Sequence, residues 1–418
     1  MLTQPVDSAC RELIGRWEDA RGVTDRVFDT VKKTSLYERP IPERHRIIFY
    51  LGHLEAFDWN LFRERFGLKS FHADFDQLFA FGIDPLGGAT PNDQAGDWPS
   101  LLQVERYRVR IREELDAALS GATESDELVQ LLNIAIEHRL MHAETLEYML
   151  HQLPYNSKVR DSVETPKRVK TPVVPRAVNI PSGTVTLGLK ADAGEFGWDN
   201  EFEAHRVDVP AFSIDKYKVT NEQFLKFVES GGYNEPAFWL GEDWAWKTQE
   251  RIEHPVFWEK TNGGFRYRSM FEEIDLPMEA PVYVSYAEAN AYARWAGKAL
   301  PTEAEWQRTA VGAKAVSAAR TMWSPPPIAM EAASASQFGV EGMIGTGWEW
   351  TATEFAPFEG FKIHPAYPGY SANFFDGKHY VLKGGSPRTA ECMLRKSFRN
   401  WFQPHYQYVY AGFRCVTR

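Results

Sequence analysis

EHRLMHAETLEYML, residues 137–150, decides the reading of the first third of the chain. Leu131, Leu132, Ile134 and Ile136 precede it and supply an apolar face, so the segment reads as a helix over 125–152. Asp126, standing before Glu127-Leu128-Val129, is the expected cap. His138 and His142 are four apart, which puts both imidazoles on one helix face, one turn apart. Such a pair can hold one divalent metal; it also occurs as two structural histidines. A third, His53, lies in IIFYLGHLEAFDWN (47–60), a second strongly apolar helical stretch. A lone histidine there would be a satisfied core residue, but core metal sites in bundles are built from facing helices. Three imidazoles without a thiolate suit Fe(II), or zinc with an open position. Glu55, Glu137 and Glu144 are candidates to orient the rings from behind.

Outward from these segments, residues 1–152 read as helical, with candidates at 7–34, 43–63, 100–119 and 125–152, lengths that fit a four-helix bundle. A Gly/Pro/Asp-rich stretch at 82–99 interrupts the pattern, and internal loops of that length are often functional. Residues 153–181 read as a basic connector carrying Pro154, Pro166, Pro172, Pro175 and Pro181. From 182 on, short β-like runs alternate with turns: Thr184–Leu187, Arg206–Val209, Phe212–Ile214, Val381–Lys383 and Gly412–Val416. Helices are expected only near 220–230, 285–297 and 302–311.

The chain has 418 residues, 44% hydrophobic and 25% charged, which is globular composition. A formal charge of −10 disfavours nucleic acid as a partner. No apolar run is long enough to span a bilayer, and the first twenty residues lack a signal core, so the expected location is the cytoplasm. Three cysteines, Cys10, Cys392 and Cys415, form no paired motif. Aromatic residues reach 14%, many among Gly and Pro in the C-terminal half, pointing to an irregular fold with room for an aromatic-lined pocket.

His138-x3-His142-x-Glu144 resembles the HX3HXE motif of DinB-like bundles. The C-terminal half is similar to formylglycine-generating enzymes (the sulfatase-modifying-factor, C-type-lectin-like fold). The matching blocks are 215–224 (DKYKVTNEQF), 281–286 (PVYVSY), 300–306 (LPTEAEW), 348–351 (WEWT), 382–386 (LKGGS) and 411–415 (AGFRC). That order of domains resembles the ergothioneine-type sulfoxide synthases: an α+β chain of bundle (1–152), linker (153–181) and formylglycine-generating-enzyme-like domain (182–418). The resemblance implies a nonheme Fe(II) enzyme that uses O2 to join a sulfur or selenium donor to the imidazole of hercynine. It implies His53, His138 and His142 as iron ligands. Tyr367, in Tyr367-Pro368-Gly369-Tyr370, matches a proton donor to the oxygenation step, and Tyr370, Asn400 and Trp401 match residues that hold hercynine. A phenol suits general-acid duty, and aromatic faces attract quaternary ammonium. Copper formylglycine-generating enzymes use a close cysteine pair, and here Cys392 and Cys415 are 23 apart in sequence.

The chain departs from relatives that take γ-glutamylcysteine. Phe402 and Tyr406 stand where an acidic and a basic residue are usual, and Met141 stands for a glutamine. The loop Gly82–Gly88 brings no arginine, and none of residues 70–105 is Arg or Lys. Charged donors need such partners. Uncharged aromatic and amide groups suit a sugar, which places the chain nearest the selenoneine synthase branch, with its selenosugar donor. The alternatives are a sulfoxide synthase using cysteine or γ-glutamylcysteine, a DinB-like thiol transferase, and a non-catalytic binding module.

Overall fold

The computed structural model describes residues 8–80, 91–160, 173–316, 323, 325–328 and 334–418. They fall into two compact units, Met1–Asp161 and Ser162–Arg418.

The first unit is helical. α1 (Ser8–Asp29), α2 (Ile47–Phe62), α4 (Leu101–Ser120) and α5 (Asp126–His151) are its long helices, and α3 (Ala73–Leu78) is a short one. α1 packs on α5, and α2 packs on both α4 and α5. α2 is buried nearly all round, from Ile47 to Phe62, as expected of a helix that is apolar on every face. Each of its large apolar side chains contributes about 1.5–3 kcal/mol by burial. α4 shows the opposite pattern. Val104, Tyr107, Ile111, Leu115 and Leu119 are buried at helical spacing while the residues between them are exposed or half-buried.

Two expectations differ from the structure. The first helix ends at Asp29 rather than 34, followed by a separate 3-10 turn at Lys33–Ser35. Ser125, not Asp126, caps α5: its hydroxyl accepts from Leu128 N at 3.2 Å, and Asp126 sits in the first turn, where its charge complements the helix dipole. The connector carries short elements at both ends. Tyr155–Ser157 form a 3-10 turn, and Ala177–Ile180 form strand β1. Gly82–Gly88 lies outside the described residues; the following stretch is tied down at Asp93, which accepts from Arg39, Arg46 and Trp98.

In the second unit β1 pairs with β4 (Phe212–Asp215), which also pairs with β12 (Val416–Thr417). β2 (Gly183–Leu187) and β3 (His205–Val209) form an antiparallel pair. β5 (Trp258–Thr261), β6 (Gly264–Arg268) and β7 (Glu273–Asp275) form a meander. The largest sheet has the order β10 (Asn400–Phe402), β9 (Tyr380–Lys383), β8 (Trp348–Glu354), β11 (Ala411–Gly412). Gly412–Val416 is thus not one strand. Its two ends join different sheets, β11 parallel to β8 and β12 antiparallel to β4.

Helices α6 (Asn221–Glu229), α8 (Tyr286–Trp295) and α9 (Glu303–Thr309) lie where expected; α7 (Gly241–Gln249) was not anticipated. Three of the motif blocks are helix starts. Thr220/Gln223, Ser285/Glu288 and Thr302/Glu305 each form a capping box, in which two backbone donors are satisfied reciprocally. The Gly-Gly pair after β9 is required by geometry. Gly384 and Gly385 have φ of +98° and +85°, and a Cβ on Gly384 would meet the Met343 carbonyl at 2.2 Å. The α+β class holds, with small irregular sheets.

Candidate metal centre and aromatic cluster

α2 and α5 bring His53, His138 and His142 together, all buried. His142 Nε2 lies 3.2 Å from His53 Nε2 and 3.1 Å from His138 Nε2. Two nitrogens bound at right angles about 2.1 Å from one ion would be about 3.0 Å apart. Burial pushes the His53 imidazole down to about 4. It also pushes His138 and His142 well below their ordinary value, helped by the neighbouring rings. All three are therefore neutral near pH 7, the form in which imidazole binds metal. His53 Nδ1 donates to the Phe79 carbonyl at 2.7 Å, which leaves the Nε2 lone pair facing the other rings. Three neutral nitrogens converging on one point fit a divalent metal.

The back side of the site differs from expectation. Glu55 does not orient an imidazole. Arg112 donates to it at 2.6 Å and Arg139 at 3.0 Å. Burial raises the Glu55 carboxyl, but the guanidinium groups of Arg139 and Arg112 outweigh this and hold it well below the usual carboxylate range. Glu137 and Glu144 are buried on α5. The group that orients His53 is a backbone carbonyl, reached because α2 has a glycine where Phe79 crosses it. A Cβ on Gly52 would lie 2.5 Å from the Phe79 ring. No side-chain motif announces such a contact. Phe57 stacks on His138 at 3.4 Å between ring centroids. Met141, between the two α5 histidines, is half-buried.

In the second unit the tyrosine loop forms an aromatic cluster. Tyr367 and Tyr370 lie 5.7 Å apart, and Tyr370 meets Trp401 edge-on at 5.3 Å. Trp401 stacks on Phe355 at 4.2 Å, and Asn400 precedes it in β10. Phe402 and Tyr406 stack on each other at 4.8 Å with an interplanar angle of 8°. Sequence reasoning missed the anchor of this loop. Trp198 stacks on Tyr370 at 3.9 Å, and Asp199 accepts from the Ser371 hydroxyl at 2.6 Å. Neither residue lies in a motif block; their neighbours are separated from them by more than 160 residues of chain. Neither Cys392 nor Cys415 is in a disulfide, and burial pushes the Cys415 thiol up.

Burial also pushes the Asp199 carboxyl above its ordinary value, against the lowering effect of the Ser371 hydroxyl and the His364 amide. The fold thus favours protonated Asp199, and its stabilising contribution is lost as pH rises through that raised value. Asp199→Asn is expected to gain stability over wild type as pH rises from about 4 to about 7. Chemical denaturation at both ends checks this; a gain equal at both would show that Asp199 does not titrate in that window.

The fold and the comparisons agree on class. The sulfatase-modifying factor enzyme 1-like domain model matches residues 162–325 and 318–418. A hercynine oxygenase of Mycobacterium tuberculosis is 37% identical over 250 residues, 55% of this chain and 58% of the relative. One from Mycolicibacterium thermoresistibile is 32% identical over 340 residues, covering 76% of this chain and 75% of the relative. Ergothioneine biosynthesis protein 1 of Neurospora crassa is 27% identical over 91% of this chain, which spans 55% of its length. The chain belongs to the ergothioneine-type sulfoxide synthase family, whose C-terminal half is a sulfatase-modifying-factor domain.

Proposed function

We propose that the protein is an O2-dependent, iron(II) enzyme that joins a chalcogen donor to the imidazole of hercynine, and that its donor is a selenosugar. The triangle of His53, His138 and His142 nitrogens carries this reading, supported by the hercynine oxygenases among its relatives. The three imidazoles would hold Fe(II), which when bound supplies the redox and Lewis-acid chemistry for O2. Coupling removes one hydrogen from the imidazole carbon and one from the chalcogen; O2 takes up those two electrons and two protons and leaves as H2O2, or, where the product is the chalcogen oxide, gives one oxygen atom to the chalcogen and leaves the other as water. Trp401 and Tyr370 would present ring faces to the trimethylammonium group, and Asn400 an amide. Tyr367 would hold and deliver a proton from its phenol oxygen.

The donor assignment is supported by the Phe402–Tyr406 stack, two uncharged rings at the positions that would otherwise pair with a zwitterion. The deciding experiment is an aerobic reaction of Fe(II)-loaded protein with hercynine. Selenosugar, thiosugar, cysteine and γ-glutamylcysteine are offered in parallel, and products are followed by mass spectrometry. An iron- and O2-dependent selenosugar adduct is expected. An adduct only with cysteine or γ-glutamylcysteine would keep the family chemistry and overturn the donor; no adduct would overturn the enzyme reading. Tyr367→Phe is expected to keep its metal content and slow coupling by about 10²-fold or more, the usual worth of a positioned proton donor. Unchanged rate and product would place the proton elsewhere.

A further inference from the structure

Arg139 lies on α5 between His138 and His142 in sequence, and its side chain is fully buried. Its guanidinium donates to the Leu54 carbonyl at 3.0 Å, to Glu55 at 3.0 Å and to Asp58 at 2.6 Å. All three acceptors belong to α2, on the turns that follow His53. Asp58 also accepts from Trp17 of α1 at 2.9 Å. Glu55 accepts from Arg112 of α4 at 2.6 Å, and Arg112 reaches Asp25 of α1 at 2.7 Å. One ionic cluster therefore ties the four long helices together beside the histidines.

Stability alone is a poor reason for such a cluster, because well-packed apolar residues often replace a buried ion pair at no loss. Register is a better one. Apolar helix faces tolerate sliding, and a shift by one residue moves a side chain about 1.5 Å along the axis. Ligand sets need placement within about 0.5 Å. A guanidinium with three fixed acceptors on the facing helix allows one register.

We propose that Arg139, through Glu55 and Asp58, is the positioning residue of the metal centre. It sets α2 against α5 and so holds His53 within ligand distance of His138 and His142. Arg139 acts through α2, not on metal or substrate. The proposal rests on the reading that the three histidines hold a divalent metal.

The test uses Co(II) titration of the full chain, followed by visible absorption, so no turnover is needed. The double variant Arg139→Met/Asp58→Leu exchanges the ion pair for apolar groups and is expected to stay folded. Its Co(II) affinity is expected to fall 10–100-fold, with altered ligand-field bands. Should the double variant not fold, Asp58→Asn, which keeps the shape and an acceptor for Trp17, is expected to show a fall of at least several-fold. A folded variant with wild-type Co(II) affinity and spectrum would overturn the clamp while leaving the metal site intact. Wild type that binds no Co(II) would overturn both, and that result is read before any variant is made.

Discussion

His138→Ala is expected to abolish tight Fe(II) binding and, with it, turnover. Of the three nitrogens that converge, His142 Nε2 sits between the other two at 3.1 and 3.2 Å, and His138 supplies one arm. Loss of an outer-shell partner alone weakens metal sites 10–100-fold, and loss of a ligand should exceed that. The substitution leaves no charge stranded, because burial keeps His138 neutral. It removes a ring stacked on Phe57, so a modest destabilisation of about 1–2 kcal/mol is expected and the bundle should survive. Metal content after Fe(II) loading and the yield of coupled product are the readouts. Retained iron with retained activity would remove His138 from the ligand set.

Arg399→Met is expected to destabilise the second unit strongly. Arg399 is buried and donates to Glu303 at 3.0 Å, to the Ala356 carbonyl at 3.0 Å and to the Asn200 carbonyl at 3.2 Å. Lys383 lies 3.5 Å from the same carboxylate. Burial raises the Glu303 carboxyl, and Arg399 and Lys383 bring it below its ordinary value. A depressed carboxyl stabilises the fold at neutral pH, and that contribution is lost as pH falls through its folded value. Removing Arg399 leaves Glu303 buried with one partner. The cost of breaking such a buried pair is about 3–5 kcal/mol. For a unit of this size that is a fall in Tm of roughly 6–20 °C. Thermal and chemical denaturation check it, and a change below about 0.5 kcal/mol would show that the network is not structural. Arg399 immediately precedes Asn400 and Trp401, so, on the proposed function, the same variant should weaken hercynine binding by loosening β10.

The contrast between these networks and the motifs shows which signals a linear chain carries. The i,i+4 pair His138/His142 and the capping boxes at Thr220, Ser285 and Thr302 are local. Each depends on a few neighbouring residues, so residue type and spacing expose them. Helix α7 was missed because GEDWAWKTQ lacks a clear apolar stripe and begins at a glycine without a side-chain cap. Ser125 and Asp126 are both capping residue types, and only backbone angles decide between them.

By itself, then, the sequence determined the helical first unit, the class of the second, the family, and which three histidines could meet. The tertiary structure alone decided what holds them. His53 is oriented by the carbonyl of Phe79, 26 residues away, and Arg139 closes on α2 rather than on its own helix. Trp198 and Asp199 secure a tyrosine loop more than 160 residues further on. A backbone carbonyl carries no residue identity, and an ion pair between distant segments has no spacing, so such contacts exist only once the chain has folded.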